Sequence, residues 1–183
     1  GACGYRPEHT LSSYALAAEL GADFIEPDLV VTKDGVLVAR HENEISATTD
    51  VAEHPELARL RTTKVVSGER VEGWFTEDLT LAQLKTLRCR ERIPALRPAS
   101  ALFDGQFAIP TFDEVIDVAH RYGRVLGRPI GVYPELKHPA YFASIGLDVA
   151  EILAATLRAH GLDRPEASVF VQCFDAQMLR RLA

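Results

Sequence analysis

Cysteine is scarce in this chain of 183 residues, and the three present, Cys3, Cys89 and Cys173, lie far apart with no Cys-x-x-Cys spacing. An odd number of separated thiols excludes a closed disulfide framework and offers no thiolate metal centre; they read as small, half-buried side chains. Blocks of like charge are missing too. With a formal net charge of -6 and a sequence pI near 5.5, the chain lacks the electrostatic footprint of a nucleic-acid or anionic-membrane binder, so any recognition of phosphate must be local. No apolar run approaches the ~20 residues that a membrane-spanning helix needs. No leader peptide is visible either, but the chain starts at Gly1 rather than methionine. That start is expected to be a cut end, which leaves the native compartment open.

What is present is an apolar content of 47%, enough to bury a core as one domain or as part of a larger one. The most informative stretch runs from Ala22 to Glu42. Asp23 to Thr32 is strand-like, and period-two alternation puts Glu26 and Asp28 on one face. Lys33-Asp34-Gly35 then supplies a turn, and Val36 to His41 returns as a second strand, Asp-Gly being among the strongest hairpin signals. With Asp34-Gly35 as a two-residue loop, position 33 faces 36 and the ladder sets Asp28 opposite His41. A carboxylate pair and an imidazole are thus expected on one patch.

Leu11 to Leu20 repeats its apolar residues at helical spacing, opened by Thr10 or His9 and closed by Gly21. Glu44 to Thr76 is polar and weakly patterned, long for a connection inside a compact domain, and is expected to be an inserted excursion. Asp78 to Leu87 resumes helical periodicity. Thr111 and Glu114 form a capping box that opens a helix running to about Gly123. Ile130 to Lys137 is the next strand, with Glu135 and Lys137 on one face, although Pro134 argues for a rim position or locally unpaired backbone. Ile145 to His160 is an amphipathic helix closed by Gly161, Ser168 to Phe174 a short buried strand, and Asp175 the start of another helix. Strands separated by helices, with polar groups at strand C-terminal ends, predict an α/β fold of the (β/α)8 TIM-barrel kind with its chemistry at the mouth. A closed barrel typically takes ~250 residues. Residues 1–183 are therefore expected to form a single partial catalytic domain with a sheet edge left uncovered.

Gly1 to Thr10, Glu26-Pro27-Asp28-Leu29-Val30, Thr32 to Val38, Arg40-His41-Glu42, Glu135-Leu136-Lys137 and Val171 to Asp175, in that order, resemble the glycerophosphodiester phosphodiesterases. The similarity is greatest to the bacterial periplasmic or secreted type with an insertion after the hairpin. It implies a phospholipase C-like phosphodiesterase barrel, here without its C-terminal half, and a periplasmic or secreted location. It also implies metal-dependent hydrolysis of glycerophosphodiesters to glycerol 3-phosphate and an alcohol, a step of glycerophospholipid catabolism. Residue by residue, it implies that Glu26, Asp28 and Glu135 are metal ligands, that His41 is one of two catalytic histidines, and that Lys137 is the catalytic lysine on the phosphate side. In the family the other histidine belongs to a His-Arg-Gly motif, of which only the glycine, Gly1, is present here. Its histidine and phosphate-contacting arginine are absent, which implies a fragment of impaired activity.

The chemistry of these residue types agrees. Three carboxylates are hard oxygen ligands suited to Ca²⁺ or Mg²⁺ and poor for zinc. A divalent cation with Lys137 would stabilise the nonbridging phosphoryl oxygens where charge develops, and an imidazole with an ordinary pKa near ~6.5 suits His41 to proton transfer. Gln172, at a strand end, is either a substrate-binding amide or one that satisfies the backbone. Glu8 either orients the site or caps the first helix, and His9, where the family more often has asparagine, is read as a capping residue. His138 is expected to point away from Lys137, and Glu42 away from His41, by strand alternation. His54, His120 and His160 are read as surface residues. Two alternatives remain: a sphingomyelinase D-like barrel, which the polar segment 44–76 disfavours as a lipid-docking surface, and a non-catalytic binding or scaffold derivative. The expected partner is a small-molecule glycerophosphodiester, and the residues carry no reading of oligomeric state.

Overall fold

The computed structural model describes residues 1–182. Helix α1 (Leu11–Glu19) is capped by Thr10, whose hydroxyl accepts the Ser13 N–H at 3.2 Å. The strand expected over 23–32 is split into β1 (Phe24–Ile25) and β2 (Asp28–Val31). The break falls at Glu26-Pro27, where proline brings no N–H to a ladder.

Strand β3 (Leu37–Ala39) runs antiparallel to β2, but in a different register from the one expected. Leu29 pairs with Ala39 and Val31 with Leu37, so the loop holds Lys33, Asp34 and Gly35, and Asp28 lies opposite Arg40 rather than His41. A two-residue type I′ turn needs positive φ at both central positions, and of this loop only Gly35 has it, at 79°. Thr32 fixes the longer loop: its hydroxyl donates to Asp34 Oδ1 at 2.6 Å and accepts from the Val36 N–H at 3.0 Å. His41 is thereby carried past the end of β3.

Segment 44–76, without pattern in the sequence, contains 3-10 turns at Val51–Glu53 and Pro55–Leu60 and a hairpin of β4 (Thr62–Val66) and β5 (Glu69–Gly73). Ser67 and Gly68, both with positive φ, make its tight turn. The hairpin is tied down by a buried carboxylate. Glu77 Oε1 accepts from Lys64 Nζ at 2.9 Å and Tyr141 Oη at 2.6 Å, and Asn43 also bonds it.

After it come α2 (Leu81–Leu84), far shorter than the helix expected over 78–87, and α3 (Pro98–Ala101). The capping box at Thr111 opens α4 (Phe112–Leu126), which passes Gly123 and stops at Gly127, whose φ of 66° suits a left-handed cap. Strands β6 (Gly131–Val132) and β7 (Glu135–Leu136) flank Pro134. A short helix, α5 (Pro139–Ser144), precedes the one expected over 145–160, which begins only at Val149 as α6 (Val149–Ala159), because Gly146 turns the chain and Asp148 caps the new helix; α7 (Ala176–Leu182) follows.

Strands β1 and β2 pair in parallel with β6 and β7, matching Phe24 to Gly131 and Asp28 to Glu135, and Pro27 and Pro134 interrupt both at one level. Val132 and Glu135 in turn bridge in parallel to Val169 and Gln172. The result is an open part of a (β/α)8 barrel. Ile25, Leu29, Val132 and Leu136 share one core with Tyr14, Ala18, Val115, Ile116 and Leu153, each buried side chain of this size contributing ~1.5–3 kcal/mol. The stretch 168–174 is not the buried strand expected: Phe170 is 59% and Phe174 89% exposed, since among the described residues no strand lies on its far side.

Candidate active site

The parallel match of Asp28 to Glu135 sets these two side chains abreast, and Glu26 is two residues below on the same inward face. One carboxylate oxygen from each of Glu26, Asp28 and Glu135 lies within 4.8 Å of the others. Lys137 Nζ bridges the group, 2.7 Å from Glu135 Oε1 and 3.4 Å from Asp28 Oδ1. Gln172 Nε2 donates to Glu135 Oε2 at 2.5 Å, so this amide serves the acid cluster rather than the backbone.

The cluster holds more negative charge than one lysine balances. Burial, then repulsion from Asp28, pushes Glu26 up to about 7. Burial also acts to raise Asp28, but a hydrogen bond from His9 and the nearby charge of Lys137 outweigh it and bring Asp28 down to about 2. Burial opposes the charge on Lys137 as well; its bond to Glu135 and the nearby Asp28 win, and its pKa is raised. Three convergent carboxylates short of positive charge, with no sulfur or imidazole among them, fit a hard divalent cation.

His41 lies near enough for its charge to act on Asp28. Its Nδ1 lies 2.9 Å from Glu42 Oε1, and its side chain is 40% exposed. Glu42, expected to face away, does not: residues 41 and 42 lie beyond β3, where strand alternation no longer applies. Its other oxygen accepts from His138 Nε2 at 2.7 Å, and His138 Nδ1 meets Ser67 Oγ at 2.9 Å. His138 is therefore at the rim and not on the opposite face, because its φ of 46° breaks the alternation after Lys137.

His9 is the largest correction. Thr10 caps α1, and His9 turns inward with a φ of 50°, placing Nε2 3.0 Å from Asp28 Oδ2. Glu8 does not cap the helix either; it is buried, with Arg92 3.1 Å from its carboxylate. The sequence also gave no sign that Arg40 would be buried, its guanidinium donating to the carbonyls of Glu8, His9, Ala39 and Thr48. Non-glycine residues held at positive φ gather at functional sites because the surroundings enforce the strain; His9 and His138 both touch this one. His54 and His160 pair with acids away from it.

The model of the glycerophosphoryl diester phosphodiesterase family matches residues 1–183. The chain belongs to this family. Among curated glycerophosphodiester phosphodiesterases, it is 37% identical to GDPD6 of Arabidopsis thaliana, over 98% of this chain and 50% of that protein. It is 32% identical to the enzyme of Haemophilus influenzae, over 100% of this chain and 50% of that one. The family fold recurs in a phosphodiesterase of Oleispira antarctica solved with the product sn-glycerol-3-phosphate, at a TM-score of 0.67, 24% identity, and coverage of 98% of this chain and 57% of that one. It recurs also in a family protein of Silicibacter pomeroyi, at 0.74, 22% identity, and coverage of 100% and 58%. The chain spans about half the length of the curated relatives it matches.

Proposed function

We propose that the protein hydrolyses glycerophosphodiesters to glycerol 3-phosphate and an alcohol, using a divalent cation, Ca²⁺ or Mg²⁺, held by Glu26, Asp28 and Glu135. One observation carries this: three carboxylate oxygens within 4.8 Å of one another beside a lysine ammonium at a barrel mouth, in a chain of this family. The Oleispira neighbour's bound product supports the substrate class.

When bound, the cation supplies Lewis-acid stabilisation of charge developing on a phosphoryl oxygen. Lys137, held in place by Glu135 and Asp28, presents its ammonium to the nonbridging oxygens of the anionic diester. Gln172 fixes Glu135. His41 Nδ1 is buried, 2.9 Å from Glu42 Oε1 but without a hydrogen bond, which leaves Nε2 to exchange a proton with the leaving or attacking oxygen. Exposed Glu69, Arg70 and Glu72 on β5 argue against a lipid-docking face and so against the sphingomyelinase D-like alternative. Segment 44–76 is proposed to be an insertion of the family barrel. A periplasmic or secreted location, supported by the resemblance, is checked by cell fractionation.

The test is turnover of glycerophosphocholine by the protein at its full natural length. Activity should vanish in excess chelator and return with Ca²⁺ or Mg²⁺, and His41→Ala should lose most of kcat without a change in melting. Undiminished turnover in chelator, or near-full activity of His41→Ala, rejects the assignment.

A further inference from the structure

The proton and charge transfers above leave His9 without a part, yet the fold invests heavily in it. Its side chain is only 10% exposed and its backbone is in the left-handed region, at a φ of 50°. Arg40, itself 1% exposed, grips the loop in that shape through the Glu8 and His9 carbonyls, the latter at 3.0 Å. Both ring nitrogens are engaged: Nε2 lies 3.0 Å from Asp28 Oδ2 and Nδ1 2.7 Å from Tyr14 Oη. Tyr14 is fully buried, and His9 is the only partner of its hydroxyl among the described residues.

The chemistry of the partners orders these bonds. A carboxylate accepts and cannot donate, so Nε2 carries a hydrogen toward Asp28. In the neutral ring Nδ1 then accepts, and the Tyr14 hydroxyl donates to it. Every donor points one way, from Tyr14 through His9 to Asp28, whose other oxygen faces Lys137 at 3.4 Å.

We infer that Tyr14 and His9 form a directed hydrogen-bond relay that fixes the Asp28 carboxylate for cation capture, with His9 a positioning residue. This rests on the metal site proposed above. Groups that orient metal ligands from behind are typically worth 10–100-fold in affinity.

Isothermal titration of the chelator-stripped protein at its full natural length with Ca²⁺, and separately with Mg²⁺, tests it. His9→Ala should weaken cation binding about 10–100-fold. Tyr14→Phe, which removes one hydroxyl and opens no cavity, should weaken it several-fold with the melting temperature of the stripped protein nearly unchanged. His9→Asn, whose amide can still donate to Asp28, should recover part of the loss. In ¹⁵N spectra the His9 ring should show the tautomer protonated at Nε2. Wild-type binding with His9→Ala and Tyr14→Phe both within twofold of it overturns the relay while leaving the metal site standing. A wild-type protein that takes up neither cation overturns both.

Discussion

Lys137→Met removes a charge and keeps most of an apolar stem, and its consequences diverge in a way that packing defects do not imitate. The ammonium lies 2.7 Å from Glu135 and 3.4 Å from Asp28, with its side chain 15% exposed. At an effective dielectric of ~20 these attractions are roughly 6 and 5 kcal/mol gross. Desolvation of the three groups offsets most of this, so the stability lost is roughly 3 kcal/mol, the lower end for breaking a buried pair, because the mouth is open to water. Loss of the ammonium at the reacting phosphate should lower kcat about 10²–10³-fold. Cation affinity should move the opposite way and tighten, since a competing positive charge has left the carboxylates. The assays are kcat on glycerophosphocholine at saturating cation, melting in chelator, and calorimetric cation binding. A kcat within tenfold of wild type, or weaker cation binding, refutes the assignment of Lys137.

Glu26 makes the stripped protein pH-sensitive. Its pKa is raised from 4.5 to about 7 by burial and Asp28, so the folded state binds the proton more tightly than the unfolded one. Its contribution is most favourable below 4.5 and is lost as pH rises through about 7. Asp28, lowered from 3.8 to about 2, acts only between those lower values, so melting in chelator should fall as pH rises from about 4.5 to about 7 and added Ca²⁺ should remove the fall; a flat profile in chelator contradicts the crowding of acids. Gly131→Val should destabilise by about 1–3 kcal/mol in denaturant titrations, because a Cβ there would sit 2.3 Å from Phe24 and 2.6 Å from the Ser168 carbonyl oxygen; a neutral effect would mean the strands can part. Thr111→Ala should cost ~1 kcal/mol by removing the cap that accepts the Glu114 N–H at 3.2 Å, and an unchanged unfolding midpoint would exclude that role.

The cluster of Glu26, Asp28, Glu135 and Lys137 was legible because period-two alternation depends on residue spacing alone, and the two strands carry it identically. Proline at 27 and 134 marked where their pairing lapses. The hairpin register was not legible: it turned on whether one or two loop residues take positive φ, and Asp-Gly allows either outcome. The β4–β5 hairpin escaped notice because it is anchored by Glu77, Lys64 and Tyr141, polar residues distant in sequence, rather than by an alternating apolar face.

Sequence alone determined the strands that carry the acids, the capping box at Thr111 and the inward acids, since each follows from spacing and from the local preferences of neighbouring residues. Tertiary structure decided the partners. Whether His9 meets Asp28, Glu42 meets His138, or Arg40 is buried among carbonyls depends on segments well separated in sequence being brought within bonding distance, with His9 and His138 held at backbone angles that no local preference favours.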